Sequence, residues 1–161
     1  MELKRRLMSW LPVYEAQAHC DIPCGIYDPI AAKIAAQTVL KMVMRIEAME
    51  PPSPASSAED RRTSFNTANR YITVKEEHAE LTKHELDILW HDYFKPEHLE
   101  KYPDLHTTIW NATKLASTNK QGVDMDAAKH LVDAVDRIAE IFWDTKGVKY
   151  SDPVAEVRLG K

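Results

Sequence analysis

The sequence predicts an all-α protein: an antiparallel four-helix bundle preceded by an irregular N-terminal stretch. Three observations predict it. Four segments carry apolar residues at three- and four-residue spacing, the period of a helix with one buried face. Connectors bearing proline or glycine separate these segments. No segment alternates polar and apolar residues over a useful length, so there is no strand signal. The chain of 161 residues is long enough for one domain with a sizeable core. Short connections between four helices favour antiparallel neighbours, and the sequence contains no internal repeat.

Each element has its own warrant. Asp28 at the N-cap and Pro29 at the first helical position start helix one. Ile30, Ile34, Met42 and Ile46 recur along it at helical spacing, with Val39 and Val43 beside them, and it stops before Pro51. The run Pro51-Pro52-Ser53-Pro54-Ala55-Ser56-Ser57 is a linker. Ser57, with Asp60 three residues on, caps a long second helix over about 58–92. Tyr71, Val74, His78, Leu81 and Ile88 form its apolar stripe. Lys95-Pro96 and Tyr102-Pro103 bracket a loop. A third helix runs over about 104–118, with Leu105, Ile109, Ala112 and Leu115 inward. Asn119-Lys120-Gln121-Gly122 is a turn. Ala128, Leu131, Val135, Ile138 and Phe142 give the fourth helix a heptad-like stripe.

Composition narrows the function classes. Charged residues make up 29% and hydrophobic residues 44% of the chain, as in ordinary globular proteins. A net charge of −4 argues against a nucleic-acid or anionic-membrane surface. No apolar run approaches the ~20 residues of a membrane span. Two cysteines cannot make a disulfide scaffold.

Both cysteines lie in one stretch, His19-Cys20-Asp21-Ile22-Pro23-Cys24-Gly25-Ile26-Tyr27. Pro23 and Gly25 keep it from being ordinary helix. Deprotonated Cys20 and Cys24 are soft donors that suit a late first-row or redox-active metal, not magnesium or calcium. If the chain begins at His19, a free α-amine with a pKa near ~8 joins them. That amine, the Cys20 amide nitrogen and two sulfurs can fill a square plane, with the His19 imidazole axial. Such ligation favours Ni(II) or Cu(II) over tetrahedral zinc. The spacing of two cysteines alone also allows a small disulfide or two unremarkable thiols.

The full nine-residue run resembles the nickel hook of nickel-containing superoxide dismutases, matching at every position except Ile22 and Ile26. His84-Glu85-Leu86-Asp87-Ile88-Leu89-Trp90-His91-Asp92-Tyr93-Phe94-Lys95-Pro96 is similar to a second signature of that family. Glu100-Lys101-Tyr102-Pro103-Asp104-Leu105-His106 and Ile141-Phe142-Trp143-Asp144-Thr145-Lys146 are similar to later family segments. The resemblance implies an antioxidant enzyme with one nickel ion per subunit, cycling between Ni(II) and Ni(III). Its substrate is superoxide, converted to dioxygen and hydrogen peroxide. His19, Cys20 and Cys24 are the implied ligands, and Tyr27 orders small molecules over the open face. Asp21, Pro23, Gly25 and Tyr93 are the implied surroundings, with a cis Ile22-Pro23 bond. The implied assembly is a homohexamer. The alternative is a non-catalytic bundle that holds nickel or copper for delivery.

Under this reading residues 1–18 are removed by a maturation protease cutting between Ala18 and His19. They read as a propeptide or as a secretory signal. Lys4-Arg5-Arg6 precedes a short apolar run interrupted by Pro12, and Ala16-Gln17-Ala18 is a small-residue cleavage pattern. The propeptide reading makes the enzyme cytoplasmic, and the signal reading makes it exported. The four-helix domain spans 19–146. The tail over 147–161 goes beyond the family core and is expected to be disordered or to lie on a neighbouring subunit.

Two positions depart from the family pattern. Some members pair a glutamate in the first helix with an arginine in the second, near the axial histidine. Ala35 and His78 stand there here, so no buried arginine is left without its carboxylate. His78, read as inward between Val74 and Leu81, either contacts His19 or bonds a backbone carbonyl. His84, His91, His98, His106 and His130 read as solvated or helix-end residues. Lys95 and Lys114 are candidates for steering the anion.

Overall fold

A computed structural model describes residues 25–160. The long helices are α1 (Ile30–Glu47), α2 (Ala58–Ile88), α4 (Leu105–Gln121) and α5 (Met125–Thr145). Among the described residues there are also short helices α3 (Pro96–Lys101) and α6 (Ala155–Arg158) and a π-helical turn over Leu89–Tyr93. Among the described residues there is no strand.

The helices close a ring in which α1 touches α2, α2 touches α4, α4 touches α5 and α5 returns to α1. Their contacts run antiparallel. Trp90 after α2 meets His106 at the start of α4, while Lys75 further up α2 meets Asn119 at its end. Lys33 near the start of α1 pairs with Asp136 in α5, and Asn119 bonds the Ala127 carbonyl.

The fourth-helix stripe is as expected: Ala128, Leu131, Val135, Ile138 and Phe142 are all fully buried. Burying such a Leu, Ile or Phe side chain contributes about 1.5–3 kcal/mol each. Leu105, Ile109 and Ala112 also point inward, and α4 continues three residues past the expected end at 118. The capping box of Ser57 and Asp60 forms, with Asp60 N donating to Ser57 Oγ at 3.0 Å. Asp28 caps α1 from one position earlier than expected. Its Oδ1 accepts from Ile30 N at 2.8 Å, and Pro29 stands at the N-cap.

Two stripes are rotated from the sequence reading. In α2 the inward residues are Lys75, Ala79, Thr82 and Leu86, followed by Leu89 in the π turn. Tyr71, Val74, His78 and Ile88 are half-buried beside them, and Leu81 is exposed. In α1 the core face is Ala32, Ala36, Val39 and Val43, whereas Ile30 and Ile34 are exposed. The physical reason is side-chain size. Alanines and a threonine let helices approach closely, so the tightest seam selects them over the larger apolar residues. Lys75 belongs to that seam because its ammonium donates to the Asn119, Lys120 and Gly122 carbonyls at the end of α4.

Helix α5 ends in a Schellman motif. Val148 N donates to Trp143 O at 2.9 Å and Gly147 N to Asp144 O at 3.1 Å. Gly147 takes φ +70°, a conformation that L side chains rarely adopt. The tail that follows is ordered against its own chain through residue 160, contrary to the expectation of disorder or a neighbour. Leu159 is buried, Lys41 Nζ donates to Leu159 O at 2.6 Å, and Gln37 Nε2 donates to Ala155 O at 3.1 Å. Arg158 grips Asp152 through two bonds and reaches Gln37 Oε1.

Tyr150 ties this tail to α5 by donating to Asp136 Oδ1 at 2.8 Å. Burial first, and that bond second, hold its phenol above the ordinary tyrosine value. A raised folded pKa means its contribution is complete below about pH 10 and is lost as pH rises further. We expect ultraviolet titration to show a late-ionising tyrosine signal that loses one residue's amplitude in Tyr150→Phe. A variant curve that lacks an ordinary tyrosine instead would contradict this.

Candidate metal centre and its aromatic surround

Residues 25–27 lead into α1 beside the ends of α2 and α5. His19, Cys20, Asp21, Pro23, Cys24 and the Ile22-Pro23 bond lie outside the described residues. Gly25 opens the described chain with φ +72°. That left-handed turn directly follows Cys24 and is one that glycine adopts freely.

Tyr27 is half-buried, and its ring centroid lies 5.7 Å from that of Tyr93, tilted by 53°. The two tyrosines are therefore brought together, although 66 positions of sequence separate them. The π turn is what aims Tyr93. Phe94 N donates to Leu89 O at 3.0 Å, the wider i→i+5 closure of a π-helix. The expected second helix ran unbroken to about residue 92, because no residue in Leu89–Tyr93 announces this widening.

Tyr93 is held on several sides. The Phe142 ring lies 4.4 Å away, the His98 ring stacks at 5.6 Å and 19°, and Phe94 meets it edge-on at 5.2 Å. Lys146 Nζ stands 5.0 Å over the Tyr93 ring and 5.2 Å over Phe142. Such a cation–π contact is worth about 0.5–1 kcal/mol at an exposed site. The Tyr93 hydroxyl lies 2.5 Å from Thr145 Oγ1, which is itself 2.6 Å from the Phe142 carbonyl oxygen. His98 Nδ1 accepts from Lys95 N at 3.1 Å, which leaves the neutral ring with its proton on Nε2.

His98 thus makes the expected helix-end contact at the start of α3 and also packs on Tyr93. Thr145 and Lys146 end the Ile141–Lys146 segment, and the sequence by itself gives them no role. Their signal was proximity in that segment to Phe142, a residue on the fourth stripe. Lys95 sits at this end of the bundle. Lys114 does not: it lies nine residues along α4 from Leu105, about 13 Å away, with Nζ 5.2 Å over the Trp110 ring.

His78 is not brought to the tyrosines. It precedes Tyr93 by fifteen residues on one nearly continuous helix, a rise of about 22 Å. It is half-buried one position off the inward stripe, and its Nδ1 donates to Val74 O at 2.8 Å. The other reading, a contact with His19, involves a residue outside the described ones. Ala35 is buried. His91 Nδ1 donates to Asp87 O, and His106 meets Trp90 at 5.4 Å. Among the described residues, no three His, Cys, Asp or Glu side chains gather so as to hold a metal ion.

A model of the nickel-containing superoxide dismutase family matches residues 14–146. The chain belongs to the nickel-containing superoxide dismutase family. The nickel superoxide dismutases of Streptomyces seoulensis and Streptomyces coelicolor are each 38% identical to it over 135 residues, 84% of this chain and 93% of theirs. The native structure of a nickel superoxide dismutase superposes with a TM-score of 0.69 at 36% identity, covering 81% of this chain and all of that one. A crystal structure with nickel ligation of the oxidised state gives 0.68 at 39% identity with the same coverage. The family is one of oxidoreductases that act on superoxide with nickel. Its match ends at Lys146, before the tail.

Proposed function

We propose that this chain disproportionates superoxide, two anions and two protons giving dioxygen and hydrogen peroxide, with nickel held by the hook. The ligands are the His19 amine and imidazole, the Cys20 amide nitrogen and the thiolates of Cys20 and Cys24, after cleavage between Ala18 and His19. The donor set fits nickel: two soft thiolates beside nitrogen donors. Bound nickel supplies the one-electron couple that the reaction requires. Asp21, Pro23 and Gly25 shape the hook.

The protein's own residues do the remaining work. Tyr27 and Tyr93 form an aromatic wall that limits water near the hook. Lys146, exposed above Tyr93, and Lys95 provide positive charge that attracts a small anion. The observation that carries the proposal is the Tyr27–Tyr93 pair, which stands where the only cysteine-bearing segment joins the bundle. No helix among the described residues is long and apolar enough to cross a membrane. We assign residues 1–18 to a propeptide and the mature enzyme to the cytoplasm, with an export signal as the alternative outcome. A homohexamer accords with the exposure of Ile30, Ile34, Phe65, Ile72 and Trp110 on the single chain.

Native mass spectrometry of the chain produced with nickel and a matching protease tests all of this together. The expected species is a hexamer starting at His19 with one nickel per subunit, which then turns over superoxide. A trimmed chain holding zinc, or a Cys20–Cys24 disulfide without metal, would overturn the proposal. A nickel-loaded species with no turnover would establish the delivery alternative.

A further inference from the structure

The Tyr93 hydroxyl has a defined direction, and Thr145 sets it. Thr145 has one hydroxyl proton. Its Oγ1 lies 2.6 Å from Phe142 O, a carbonyl that can only accept, so that proton is committed there. Tyr93 lies 2.5 Å from the same Oγ1. The phenol must therefore donate to Thr145. The chain of bonds runs from Tyr93 to Thr145 to Phe142 O and ends on an acceptor. It cannot bring a proton inward from solvent.

We propose that Thr145 is a positioning residue that presents Tyr93 to the site as a hydrogen-bond acceptor rather than as a proton donor. This rests on the proposed function. Tyr93 then binds the species that carry protons, such as water or the peroxide product. It does not supply the protons that peroxide formation consumes. Its ring cannot swing away to do otherwise, because Phe142, His98, Phe94 and Lys146 pack around it.

The test compares Thr145→Val, Thr145→Ser and Tyr93→Phe in the full-length processed chain. The first readout is the Cζ chemical shift of isotopically labelled Tyr93, assigned by its loss in Tyr93→Phe and measured with and without nickel. Thr145→Val should move this shift, and Thr145→Ser should restore it. The second readout is turnover. Thr145→Val should change kcat about fivefold, the worth of one net hydrogen bond, and should have no further effect in a Tyr93→Phe background. An unmoved Cζ shift, or a Thr145→Val effect that persists without the Tyr93 hydroxyl, overturns the proposal. A moved shift in a chain that never turns over superoxide overturns the proposed function and leaves the hydrogen-bond assignment standing. Should Thr145→Val fail to fold, Thr145→Ala gives the same comparison.

Discussion

Cys20→Ser is expected to abolish stoichiometric nickel binding and to lower superoxide turnover by more than ~100-fold. Loss of even an outer partner of a metal ligand costs 10–100-fold, and Cys20 supplies two proposed donors, its sulfur and its amide nitrogen. A serine hydroxyl is a hard donor that does not replace a thiolate toward nickel. Among the described residues no second cluster can take over the metal. The helical circular dichroism should be unchanged, because the described core is built by side chains from residue 32 onward. Nickel retained by the variant at full occupancy would refute the hook assignment. His78→Ala is the informative contrast. A direct contact with His19 predicts a changed nickel spectrum. Because His78 lies some 22 Å along the helix from Tyr93, such a contact needs a hook running back along the bundle or a second copy of the chain. An unchanged spectrum and rate would leave His78 with its Val74 bond alone.

Lys75→Met is expected to lower stability by about 3 kcal/mol and the melting temperature by roughly 10 °C. Lys75 is 1% exposed, yet it carries an ammonium. Burial lowers its pKa, with neighbouring Glu76 opposing that shift. The charge is offset by three carbonyls at the C-terminus of α4, where the helix dipole also favours a cation. Methionine fills the volume but leaves those carbonyls without their donor, and a buried unsatisfied polar group costs about 1–3 kcal/mol. A lowered folded pKa means that the unfolded chain holds this proton more tightly. The wild type should therefore gain stability relative to Lys75→Met as pH rises toward the ordinary lysine value. Denaturant titrations of both proteins across alkaline pH measure this. Equal stability at neutral pH would show that the cap contributes nothing.

The helical class was legible because periodicity survives without any knowledge of neighbours: the α5 stripe, the Ser57 cap and the breaks at Pro51 and Gly122 are local facts. The rotation of α1 and α2 was not. Periodicity marks an apolar face, and Ile34 or Leu81 looks as inward as Ala36 or Ala79. Which face forms the seam depends on how closely two backbones can approach, a property of the pair. Lys75 shows the same limit, since a lysine is read as solvated until a helix end is found waiting for it.

The site divides along the same line. The proposed ligand types, their spacing and their suitability for nickel or copper are read from nine consecutive residues, because coordination chemistry is short-range. The surround of Tyr93 does not, since His98, Phe142, Thr145 and Lys146 reach it only after a π turn and a helix end converge. Local sequence thus marked a cysteine-bearing stretch suited to Ni(II) or Cu(II) and determined four amphipathic helices. The tertiary fold alone decided which faces are buried, where the tail docks and which groups surround Tyr93, because each depends on groups distant in sequence meeting within a few ångströms.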